Sequence, residues 1–65
     1  MVKYIGKQKR IDRGLSAMQL AIKAKVSEDT IYNAERNIHL PSLMTLDLIA
    51  TALNVNPWEL IEFTN

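Results

Sequence analysis

The segment Gly14-Leu15-Ser16-Ala17-Met18-Gln19-Leu20-Ala21-Ile22-Lys23-Ala24-Lys25-Val26-Ser27-Glu28-Asp29-Thr30-Ile31-Tyr32-Asn33-Ala34-Glu35-Arg36-Asn37 reads as two short helices separated by a tight break. Each helix opens with a serine and shows one apolar face. Leu20, Ala21 and Ala24 line the first; Ile31 and Ala34, with Val26 in the break, line the second. The small side chain of Ala21 lets two helices cross closely at the steep angle of a helix-turn-helix. The second helix of that motif enters the major groove of DNA, so the segment points toward nucleic acid.

Start and stop signals extend the pattern to five helices and no strand. The sequence predicts helix 1 over Val2 to Arg13, closed by Gly14 in a left-handed C-cap, with Gly6 inside costing roughly 1 kcal/mol relative to alanine. Ser16 with Gln19 predicts a capping box for helix 2. Helix 3 starts at Ser27 and stops near Asn37, a residue type that tolerates the left-handed cap. After the loop Ile38-His39-Leu40-Pro41, Ser42 caps helix 4, where Leu43, Leu46, Ile49, Ala50 and Leu53 share one face. Asn54 ends it. Asn56 and Pro57 then open a last helix carrying Trp58, Leu60, Ile61 and Phe63. The serines are read as caps rather than nucleophiles.

Composition narrows the classes. The chain has 65 residues, 48% of them hydrophobic, which suits one small folded domain spanning 1–65 rather than a disordered segment. There is no cysteine, so disulfides and thiolate zinc sites are excluded. No apolar run approaches a membrane span and no signal peptide is visible, so a cytoplasmic protein is expected. His39 is a lone loop histidine without companions for a metal site or a triad. No set of nucleophile, base and oxyanion donors can be assembled, so neither an enzyme nor a cofactor or small-molecule site is expected. Net charge is only +1, but it is unevenly spread. Residues 1–26 carry Lys3, Lys7, Lys9, Arg10, Arg13, Lys23 and Lys25 against Asp12 alone, while Arg36 is the only base beyond them. A basic end of this kind is either a phosphate-facing surface or a solvated first helix.

These features resemble the Cro/repressor (Xre-type) family of small phage and bacterial helix-turn-helix regulators. The similarity runs from about Ile5 to Phe63. It rests on Gly14-Leu15-Ser16, Leu20-Ala21, Val26-Ser27, Thr30-Ile31, Glu35-Arg36, Pro41-Ser42-Leu43, Thr45-Leu46 and Ala52-Leu53. The resemblance implies an all-α, five-helix, lambda-repressor-like DNA-binding domain. It implies base reading by Glu28, Asp29 and Asn33 with Tyr32 beside them, and backbone contacts from Ser16, Ser27, Thr30 and, after helix 3, Asn37. It also implies a structural ion pair between Arg10 and Glu35, and a homodimer built on the last helix through Trp58, Ile61 and Phe63. Four departures weaken the phosphate grip. Ala17 replaces a common glutamine, Lys25 a glycine of the turn, and Ile38-His39-Leu40 a basic loop; Met18 and Ile22 are apolar where relatives are polar.

Each site residue has a plainer alternative. Glu28 and Asp29 either accept from a cytosine amine or favour the macrodipole of their helix, at roughly 0.3–1 kcal/mol each. Asn33 either pairs with adenine or is solvated. Tyr32 either stacks or reaches phosphate, or covers its own helix. Trp58 either joins two copies or folds over a small core. The expected function is a dimeric, sequence-specific transcriptional repressor on a palindromic operator. The alternative is a protein-interaction module, such as an antirepressor or accessory subunit, using Met18, Ile22 and the acidic start of helix 3.

Overall fold

The computed structural model describes residues 1–64. Strand β1 (Val2–Tyr4) is followed by α1 (Lys7–Asp12), α2 (Ala17–Ala24), α3 (Glu28–Glu35) and α4 (Leu43–Leu53). A 3₁₀ turn (Pro57–Leu60) then leads into strand β2 (Ile61–Phe63). The fold is mostly helical, not all-α, and two expectations fail at its ends.

The expected first helix is a strand and a shorter helix, and the expected last helix is a 3₁₀ turn and a strand. The two strands pair antiparallel, with Val2 opposite Phe63, Lys3 opposite Glu62 and Tyr4 opposite Ile61. The reason is local alternation. Val2 and Tyr4 point one way and Lys3 the other, and Ile61-Glu62-Phe63 repeats that two-residue period on β-branched and aromatic types. Neither segment is long enough for its helical spacing to outweigh this pairing. Gly6 consequently stands at the N-cap of α1 rather than inside a helix, with φ −76°. It is glycine for space: a Cβ there would overlap the Tyr4 hydroxyl and lie 3.0 Å from a Leu60 methyl.

The central helices follow their sequence signals. Ser16 Oγ accepts from Gln19 N–H while the Gln19 side chain accepts from Ser16 N–H, completing the capping box. Ser27 and Ser42 accept from Thr30 N–H and Thr45 N–H at the starts of α3 and α4. Gly14, Lys25, Asn37 and Asn54 all take positive φ where helices end or turn. At Lys25 (φ 61°) the turn keeps its left-handed geometry without the usual glycine. Arg13 Nε donates to Leu53 O, satisfying a free carbonyl at the C-terminus of α4.

Leu20, Ile31, Ile49, Leu53 and Leu60 are fully buried at the centre, with Ala21, Ala24, Ala34 and Ala50 letting the helices approach. Tyr4 seals the core from the strand side and is itself buried. Among the described residues no helix is long and apolar enough to cross a membrane.

Candidate nucleic-acid interface

Helix α3 has two unlike sides. Ile31 and Ala34 are buried in the core, which fixes the rotation of the helix. Asp29, Tyr32 and Arg36 are exposed and Asn33 is half-buried; their spacing of three and four residues makes one outward stripe. Arg36 had no assigned role in the sequence reading, yet it completes this stripe. Its guanidinium carbon lies 5.2 Å from the centre of the Tyr32 ring, within cation–π range. The signal was available: Arg36 is seven residues beyond Asp29, two turns along the same face.

Ser27 sits at the head of α3, its hydroxyl also 2.8 Å from Thr30 Oγ1. Both residues are therefore held by the cap, with Ser27 exposed and Thr30 half-buried. Ser16 is exposed at the head of α2. The heads of both helices carry unpaired backbone donors suited to an anion. Glu28 and Asp29 occupy the first turn of α3, so the macrodipole is already partly answered by side chains.

Asn37 is placed differently. Its side-chain oxygen accepts from Tyr4 N–H at 3.0 Å, tying the end of α3 to β1. That structural bond uses the amide oxygen and holds the side chain in place, while a phosphate contact would draw on its Nδ2 donors.

Arg10 and Glu35 brace the interface from behind. Arg10 Nε and Nη2 donate to the two carboxylate oxygens of Glu35 at 2.7 and 2.9 Å, and Nη1 donates to Leu15 O at 2.8 Å. The side chains are only 13% and 5% exposed. The hydrogen-bonded carboxylate raises the Arg10 pKa further above its ordinary value. One guanidinium thus holds α1, the α1–α2 link and α3 together.

The three expected dimer residues are not equivalent. Trp58 and Phe63 are 69% and 77% exposed, whereas Ile61 is half-buried against the core. Met18 and Ile22 project from α2, on the side opposite its core residues. The structure brings Met18 and Ile22 together on one helix and leaves Trp58 and Phe63 on different elements.

Comparison with known proteins agrees with this geometry. A helix-turn-helix family model matches residues 7–60. No curated protein matches the chain. Among solved structures, the chain is similar to SinR, the master regulator for biofilm formation, in complex with DNA. The TM-score is 0.75 at 35% identity, covering 78% of this chain and 82% of that one. It is also similar to a chain of the SinR–SinI complex, with TM-score 0.77 and 33% identity, covering 82% of this chain and 52% of that one. A match over the four helices and the turn, carried by a capped α2–α3 pair with one outward stripe, makes this chain a member of the Cro/C1-type helix-turn-helix family.

Proposed function

We propose that this protein is a sequence-specific DNA-binding transcriptional regulator, acting as a repressor dimer on a palindromic operator. The observation that carries the reading is the outward stripe Asp29–Tyr32–Asn33–Arg36 on a helix whose other side is locked into the core. The likeness to SinR bound to DNA supports it. Residues 1–65 act as one module. Helix α3 lies in the major groove, with Asn33 reading a base and Arg36 pairing with phosphate. Ser16, Ser27 and Thr30 supply backbone contacts, which position the protein without reading sequence. Glu28 or Asp29 accepts from a cytosine amine. A cytoplasmic location follows from a DNA partner. Selection of duplexes from a random pool by the purified protein tests the reading. An enriched palindrome supports it, and an unenriched pool overturns it.

A second reading has its own support. Met18 and Ile22 form an exposed apolar pair on α2, with Ile22 71% exposed. One similar structure is a complex of SinR with the protein SinI. A protein-interaction module on this fold would bind its partner there and leave random DNA alone.

A further inference from the structure

A cleft of about 330 Å³ opens between the end of α2 and the second half of α4, and neither Met18 nor Ile22 lines it. Its walls are Lys23, Ala24, Lys25, Leu48, Thr51 and Ala52. Ala24 and Ala52 are buried, and their small side chains leave the depression, while Leu48 and Thr51 stand exposed above them. Leu48 continues into the exposed Met44 one turn earlier on the same side of α4. The α4 wall therefore runs for about two helical turns, roughly 10 Å.

The α2 wall is charged. Lys23 and Lys25 are both exposed, and neither ammonium meets a carboxylate among the described residues. Asp47 is the only acid of α4, and it does not line the cleft. Lys25 takes φ 61° and ψ 41°, a backbone region that glycine occupies without penalty. A cation near the C-terminus of α2 suits the helix dipole, and Lys23 already supplies one. The dipole gives no reason to accept left-handed backbone in order to place a second cation two residues on. A side chain held in this way is the kind of outlier that marks a functional position.

We infer that this cleft docks an acidic amphipathic helix of a partner protein, with its apolar row on Met44 and Leu48 and its carboxylates on Lys23 and Lys25. The site is distinct from the Met18–Ile22 pair and stands whether or not α3 reads DNA. Small-molecule sites run from about 300 to 1,000 Å³, so this cleft is at their lower end. An open trough between two helices instead suits side chains projecting from one face of a third. DNA would meet the two lysines but leave Met44 and Leu48 uncovered. The lysines also stand at the other end of α2 from Ser16, about 12 Å along the axis from the free backbone donors of its head. Charge complementarity at the rim fixes orientation and speeds association, and the apolar row holds the partner in place.

Selection of random peptides displayed on phage, against the immobilised full chain, tests this. Enriched peptides should carry acids flanking an apolar helical row, and the leading one should shift the amide resonances of residues 23–25 and 48–52. Lys23→Glu with Lys25→Glu should weaken its binding at least about ten-fold. Leu48→Glu leaves both lysines in place and should weaken it as much, with helicity unchanged. Lys25→Gly keeps the turn and should weaken it about three-fold or more. No enrichment, enriched peptides without acids, or shifts centred on Met18 and Ile22 would overturn the docking site. If Leu48→Glu does not fold, the lysine variants still decide. Weaker duplex binding with a shallower salt dependence in the double variant, while peptide binding is intact, would give the lysines to DNA and overturn the site. Association of the free chain that vanishes in the double variant would make a second copy the occupant and overturn the partner assignment.

Discussion

Arg10 clasps Glu35 with two nearly parallel hydrogen bonds, although 25 positions separate them in the chain. Both groups are largely removed from water, so neither tolerates losing the other. Breaking such a pair costs about 3–5 kcal/mol, because one charge is left buried and alone. Arg10→Met should therefore destabilise strongly in urea unfolding. Arg10→Met with Glu35→Met should recover most of the loss, since two apolar side chains need no partners.

Tyr4 gives stability an alkaline limit. Its hydroxyl is buried without a hydrogen-bond partner among the described residues, and burial foremost, with the Glu35 charge adding to it, pushes its pKa from 10.0 up to about 12. In the unfolded chain Tyr4 ionises at its ordinary value, so unfolding is favoured once the pH passes 10. The contribution is complete below pH 10 and is lost as the pH rises to about 12, at roughly 1.4 kcal/mol per pH unit in that window. Tyr4→Phe should flatten this part of the pH–stability curve and match or exceed the wild type at pH 7, because it removes an unsatisfied hydroxyl. Thermal melts of both proteins between pH 7 and 12 measure the difference.

Lys25 holds a left-handed conformation that costs a side-chain-bearing residue about 1–2 kcal/mol. Lys25→Gly relieves that strain and adds back some unfolded-state entropy, leaving a net gain of about 0.5–1 kcal/mol. The melting temperature should rise by a few degrees. A fall would show that the lysine side chain is more useful to the turn than its backbone strain is costly.

On α3, Asn33→Ala should weaken binding to a selected operator by about 1–3 kcal/mol and relax preference at one base pair. Arg36→Ala should instead weaken all duplexes alike and make the salt dependence shallower by about one ion. Anisotropy titrations at two salt concentrations separate these outcomes. Identical behaviour of the two variants would contradict the division of roles along the stripe.

Replacing Glu28 and Asp29 together by glutamine removes negative charge from the surface that meets a polyanion. Affinity for random DNA should rise, and the gap to the preferred site should narrow. Helix α3 should lose about 0.3–1 kcal/mol per acid from its dipole. If neither form binds any duplex at low salt, the regulator reading fails and the interaction-module reading takes its place.

The middle of the molecule was legible because its signals are local. Each serine cap, each left-handed terminator and each apolar face lies within a few residues of the helix it defines. The ends were not, because Val2–Tyr4 becomes a strand only by meeting Ile61–Phe63 from the far end of the chain. Helical spacing in Trp58, Leu60 and Ile61 is too short a sample to reveal that partner. Asn37 shows the same gap within the site: its left-handed backbone was foreseeable, whereas the bond from Tyr4 N–H required knowing where β1 lies. Arg36 was readable from spacing on α3, but its stacking on Tyr32 was visible only in three dimensions.

The pairing of Met1 with Thr64 spans 63 positions of a small chain. Contacts among α2, α3 and α4 join near neighbours and form quickly, whereas joining the strands requires closing nearly the whole chain into a loop. By this argument Tyr4 joins the core late, whereas Leu60 sits in the turn that packs on neighbouring α4. The pairing of β1 with β2 thus acts as a latch across the helices, whose own contacts are closer in sequence.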